Sequence, residues 1–326
     1  MAFKSSVVSL ALTLTILSFI YAQPTSPPLL YVTNNVAKSV SIIDTKARKV
    51  IAVIQVGDEP HEITLSSDGR FAYVANAGSD NISIIDTNIV VGTVTVGDFP
   101  HSVAVSPDGK TLYVSNVSSN DVSVVDVGGR RVIRTISGVG RGPINLAMTP
   151  DGRWVYVTSL ESDVVSVIDT ASNRIAERIN VGAATEGIGV SPDGRRVYIT
   201  GRSVDNLYVI DASTFSVIKT LSVGSGPVRA HATPDGKFVY VPNVNSNTVS
   251  IVDADALQVM DSVRVGRSPV GVVFSPDENL AYVANYGSSS ISIIDTKKRA
   301  VVETIRGQIA SPDSIAITFR DVGLIC

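Results

Sequence analysis

HSVAVSPDGKTLYVSNVSSNDVSVVDVGGRRVIRTISGVG, residues 101–140, holds four short apolar stretches and no helical period. His101-Ser102-Val103-Ala104-Val105 alternates and stops at Ser106-Pro107-Asp108-Gly109, a turn sequence. Thr111-Leu112-Tyr113-Val114 is the second strand, ended by a polar loop from Asn116 to Asn120. Val122-Ser123-Val124-Val125-Asp126 is the third, and Val132-Ile133-Arg134-Thr135-Ile136 the fourth, closed by glycines near Gly140. Four short strands in one compact unit predict a propeller blade.

The unit recurs. Tyrosines that open Tyr-Val-x-Asn-like tetrads stand at Tyr31, Tyr73, Tyr113, Tyr156, Tyr198, Tyr240 and Tyr282, spaced 42, 40, 43, 42, 42 and 42 residues apart. An aspartate follows 13 residues after each: Asp44, Asp86, Asp126, Asp169, Asp211, Asp253 and Asp295. The termini predict how the ring closes. Leu29-Leu30-Tyr31-Val32 is a second strand lacking its own first, and Ser314 to Phe319 reads as a first strand with no successors. The expected fold is all-β: a seven-bladed β-propeller of four-stranded antiparallel blades, with the N- and C-terminal strands sharing one blade. Closure removes the exposed edges of an open array. A solenoid, the rival, wants a cap at each end, and neither terminus supplies one.

Tyr31-Val32-Thr33-Asn34, Tyr73-Val74-Ala75-Asn76, the Ile43-Asp44-Thr45 strand end, and Gly97-Asp98-Phe99-Pro100-His101 with Ser106-Pro107-Asp108-Gly109 resemble the YVTN β-propeller family over nearly all of residues 29–319. That resemblance implies a fold. For function it implies several things at once, because such propellers include surface-layer components, periplasmic binding proteins, lactonase-like enzymes and a streptogramin lyase. The site must be argued separately.

The first residues differ from the rest. Lys4 precedes an apolar run from Val7 to Ile20, Ala22 suits a cleavage site, and Gln23 to Pro28 reads as an extended mature start. Residues 1–22 are therefore expected to be a secretory signal, residues 29–326 a single domain, and the location secreted or periplasmic, with no stable membrane span after signal removal. The one cysteine, Cys326, excludes an internal disulfide. Among 326 residues, 44% are hydrophobic and the formal net charge is −3, with no basic run. Nucleic acid is excluded as a partner, a small molecule or peptide is expected, and so is a monomer. No Gly-x-Ser-x-Gly elbow, Cys-x-x-Cys-His or phosphate-binding glycine loop occurs.

Repetition supplies an internal control for function: a polar group present in only one or two blades is not required by the scaffold. The position after the Gly-x-x-Pro turn reads His61, His101, Ile144, Glu186, Val228, Val270 and Asp313 around the ring. The next reads Glu62, Ser102, Asn145, Gly187, Arg229, Gly271 and Ser314, and two further on stands His231 in place of small residues. All three histidines of the chain thus fall on innermost strands. Ser159 and Gly201 replace the tetrad asparagine in two blades, with Glu161 and Arg202 beside them, and Tyr286 follows the asparagine of the last. Thr185 replaces a proline, and Gly187 and Gly189 are expected to make room for Arg229 and His231.

Three readings compete. Glu186 pairs with Arg229 in a merely wet channel. Alternatively His61, Glu62, Asn145, Arg202, Arg229, Asp313 and Tyr286 bind a small polar or anionic ligand or a peptide carboxylate, the arginines acting as bidentate donors. Or the place is that of a lyase or hydrolase, lactonase-like, with His101, His231 and Glu186 as catalytic groups. In that case His61 and His101, with Glu62 or Asp313, would hold a divalent metal ion as cofactor. A surface-layer or interaction protein that uses the rim and no pocket is the remaining class.

Overall fold

A computed structural model describes residues 27–318, apart from 87 and 183–184. The expected signal segment 1–22, the start of the extended stretch and Cys326 lie outside the described residues. Seven four-stranded antiparallel sheets form the blades of a seven-bladed β-propeller. Blade 1 joins Pro312–Ile317 to Leu29–Asn34, Ser39–Asp44 and Lys49–Gln55. Leu30 pairs with Ile317 and Val32 with Ile315, so the two ends of the chain close the ring as the sequence predicts. The innermost strands of blades 2 to 7 are Pro60–Leu65, Pro100–Val105, Pro143–Met148, Ile188–Val190, His231–Ala232 and Pro269–Phe274.

Burial follows from each strand's rank in its blade. The second and third strands are covered on both faces by neighbouring blades, so Leu112, Val114, Val122, Val124 and Val125 are all buried. The fourth strand is an outer edge; in Arg131–Ser137 only Ile136 is fully buried. The repeated tyrosines are buried to the last one.

The repeated polar residues are scaffold. Asn116 donates through Nδ2 to Ser123 Oγ at 2.9 Å and Asp121 Oδ1 at 2.7 Å, and the same amide-to-serine bond recurs at Asn34, Asn76, Asn243 and Asn285. These bonds satisfy the buried Nδ2 groups, while Oδ1 of Asn76, Asn116, Asn243 and Asn285 has no partner among the described residues. The glycine of the Gly-x-x-Pro turn lies against them: a Cβ on Gly57 would come within 2.7 Å of the Asn76 side chain. The strand-end aspartate caps its turn, Asp44 Oδ1 accepting from the amides of Lys46 and Ala47.

Blades 5 and 6 depart from the others at the axis. Their innermost strands keep three and two residues. A Cβ on Gly187 would lie 1.9 Å from the Val228 carbonyl oxygen, and one on Gly189 would lie 2.1 Å from that of Ala230. The expectation that these glycines make room for the Arg229 and His231 side chains is therefore corrected. They admit the main chain of residues 228–230, which passes too close for any side chain.

Candidate functional site

The loops entering the innermost strands and the loops between second and third strands share one end of the ring; the Phe99 amide donates to Asp80 Oδ1 across them. At this mouth lies a chamber of about 610 Å³ lined by His61, Phe99, His101, Glu186, Arg202 and Asp313, among others. A second chamber of about 530 Å³ lies deeper, lined largely by Ile63, Leu65, Ile188, Val190, Val273 and Ile317. Asn145 and Arg229 border both and form the partition.

Three adjacent blades place His61, His101 and Asp313 at equivalent positions of their innermost strands. His61 Nδ1 bonds Asp313 Oδ2, with side chains only 18% and 15% exposed. The rings of His61 and His101 stack with centroids 4.5 Å apart, and Phe99 tilts against the outer side of His61 at 5.7 Å. His101 Nδ1 donates to the Ile144 carbonyl at 3.1 Å. Burial, then the charge of His61, holds the His101 pKa down at about 3, so this imidazole is neutral in ordinary buffers. Burial pushes the Asp313 carboxyl up, but the His61 hydrogen bond and the charges of His61 and Arg229 outweigh it and hold it at about 2.

Arg229 enters from blade 6 and reaches past blade 7 to blade 1. Its Nη1 donates to the Asp313 carbonyl at 2.8 Å and more weakly to that of Val270 at 3.4 Å. It is 8% exposed, and no carboxylate among the described residues lies within ion-pair distance of it. Glu186 pairs instead with Arg202, at 3.1 and 3.3 Å, which corrects the expected Glu186–Arg229 pair. That pair is lopsided, with Glu186 13% and Arg202 50% exposed. Burial raises the Glu186 carboxyl above its ordinary value despite Arg202.

The other expected residues divide between the two chambers. Tyr286 lines the mouth. Asn145 is buried and spends its amide on the Glu186 carbonyl at 2.9 Å, bracing blade 4 to blade 5. Glu62 lines the deeper chamber, where burial raises its carboxyl and one oxygen finds no partner among the described residues. His231 also belongs to the deeper chamber, its Nε2 buried without a partner and its pKa held down at about 3 by burial and then by Arg229. The proposed catalytic trio is therefore not one cluster: His101 and Glu186 face the mouth, His231 does not.

Sequence reasoning missed Phe99, Glu59 and Ser268 at the mouth. All three precede a turn proline and sit in left-handed backbone, at φ 55, 50 and 50°, where blades 4 and 6 use Gly142 and Gly226. Reading the ring two positions earlier would have found them.

A family model described as the cytochrome D1 heme domain matches residues 25–143 and 120–233. Among solved structures, hydrazine synthase of Kuenenia stuttgartiensis is similar at 26% identity and TM-score 0.76, over 82% of this chain and 92% of that one. The periplasmic gluconolactonase of Pseudomonas aeruginosa matches at 20% identity and TM-score 0.75, over 89% of this chain and 99% of that one. A dihydro-heme d1 dehydrogenase matches at 17% and TM-score 0.68, over 89% and 67%. The last two likenesses are of fold. No curated protein matches. No helix of the described residues is long and apolar enough to cross a membrane.

Proposed function

The chain belongs to the cytochrome D1 heme domain family, and from that premise we propose that it is an exported propeller of the YVTN type that binds a small anionic ligand in its mouth chamber. The family implies a haem, and the donor set argues against one. A haem iron has its four equatorial positions filled and takes one further ligand on each face. Here two imidazoles and a carboxylate offer ligand atoms within 4.8 Å of one another, all from adjacent blades. Arg229 also occupies the channel beside them, bonded to the Asp313 carbonyl. These residues do not fit a haem.

The observation that carries the reading is Arg229. A buried guanidinium normally has an anion beside it, because an unpaired charge in low dielectric is costly. The carboxylates of Glu62, Glu186 and Asp313 feel the charge of Arg229, but none is within ion-pair distance; its hydrogen bonds run from Nη1 to carbonyls, and none among the described residues engages Nη2 or Nε. A planar fork of that kind suits a carboxylate or phosphate bidentately. Arg202, half exposed beside the chamber, supplies a second cation that Glu186 holds in place.

Calorimetric titration with gluconate, citrate and inorganic phosphate tests the reading. At least one should bind at one site, and Arg229→Gln should weaken it about tenfold or more, the loss of a charged hydrogen-bond pair. Folded Arg229→Gln that binds as the parent does, or no binding by any of the three, overturns it. A lyase or hydrolase at the same chamber is the second reading, favoured by His101 facing it. An imidazole held at about pKa 3 is too weak a general base at neutral pH, so that chemistry would need another source of activation.

A further inference from the structure

We infer that His61, His101 and Asp313 form a mononuclear site for a divalent transition-metal ion, open on the side of the mouth chamber. The inference rests on the reading of this chamber as a binding site and adds to it a second group, beside Arg229, that meets the ligand.

Three features of the cluster point to a bare ion. The ligand types are two imidazoles and one carboxylate, a set suited to zinc, iron(II), cobalt(II) or manganese(II) and unlike the all-oxygen shells of calcium and magnesium. The offered atoms lie within 4.8 Å of one another; around a bound zinc such atoms stand about 3.4 Å apart, so small side-chain rotations that close the longer gaps and part the His61–Asp313 hydrogen bond would admit the ion. The outer partners are also in place. His101 Nδ1 must carry the proton it donates to the Ile144 carbonyl, so Nε2 presents its lone pair. Arg229 grips the Asp313 carbonyl and fixes the strand that carries the carboxylate. Glu62, the other carboxylate considered, is excluded because it lies one residue deeper and lines the second chamber, near Ser102 and Arg229.

Three protein ligands leave at least one position open, as in sites that activate water or bind substrate. At the same level the other four blades present Ile144, Glu186, Val228 and Val270; Glu186 alone carries a ligand atom, and Arg202 engages it. An anion in the chamber therefore meets the ion on one side and the Arg229 fork at the floor.

Full-length protein stripped with a chelator is titrated with cobalt(II), zinc and manganese(II), with no anion added. One ion per chain is expected, with visible cobalt bands of a nitrogen and oxygen environment and a raised melting temperature. His101→Gln and Asp313→Asn should each weaken binding about tenfold or more, while His231→Gln leaves it unchanged. Should Asp313→Asn fail to fold, His61→Gln takes its place. Absence of one-equivalent binding, binding undiminished in the folded cluster variants, or preference for magnesium or calcium overturns the inference. The anion titration repeated on stripped protein separates the two readings: anion binding without metal binding sinks this inference alone, and metal binding without anion binding sinks the anion reading alone.

Discussion

Blades 1 to 3 and blades 5 and 6 both break the repeat at the channel axis, in different ways. In the first group Asp313, His61 and His101 stand directly after the turn proline, and their innermost strands keep six residues each. In the second, Thr185 replaces the proline, Gly187 and Gly189 follow, and the innermost strands shrink to three and two residues. Frame-keeping changes alter what faces the channel and leave the sheet alone. Frame-breaking changes move the main chain itself, and Arg229 reaches past blade 7 to blade 1 from the blade so displaced. Chemistry and geometry are thus divided between two arcs of one ring.

That division can be broken most forcefully at Gly187. Gly187→Ala places a methyl against the Val228 carbonyl and should cost about 3 kcal/mol or more of stability; a denaturant midpoint equal to the parent's would show that the close approach is not needed. The next effect is one of pH. His231 has its pKa lowered to about 3 in the fold, against about 6.5 when unfolded. The unfolded chain therefore takes up this proton first, and stability is lost as pH falls from 6.5 towards 3. At pH 5 the parent should have lost about 2 kcal/mol more, relative to pH 7.5, than His231→Leu does; parallel stability curves for the two would mean the imidazole is not sealed in. The smallest effect belongs to Arg202. Its half-exposed pair with Glu186 is worth about 0.5 kcal/mol, so Arg202→Gln should hardly change the melting temperature, and a large drop would make that pair part of the frame.

The fold was legible because a period of about 42 residues repeats the same turns and apolar alternation, and strand order follows from ring closure. The axial level of His61, His101 and Asp313 was legible for the same reason: equivalent positions in successive blades lie side by side. What crosses the axis was not. Whether Arg229 meets Glu186 or the Asp313 carbonyl depends on rotamers and on how far blade 6 is displaced, and no spacing encodes either. The two glycines were visible as departures, but their neighbours are main-chain atoms, which look alike in every sequence. His231 was grouped with His101 because both lie on innermost strands; a difference of depth along the channel separates them into different chambers.

The shared blade gives the mouth chamber a place in time. Asp313 lies on the last strand of the described chain to leave the ribosome, and that strand is also the one that completes the circle. A chain with six finished blades holds both histidines yet lacks their acidic neighbour. The ligand site proposed at the mouth is therefore whole only once the closing strand has docked and the circle is sealed.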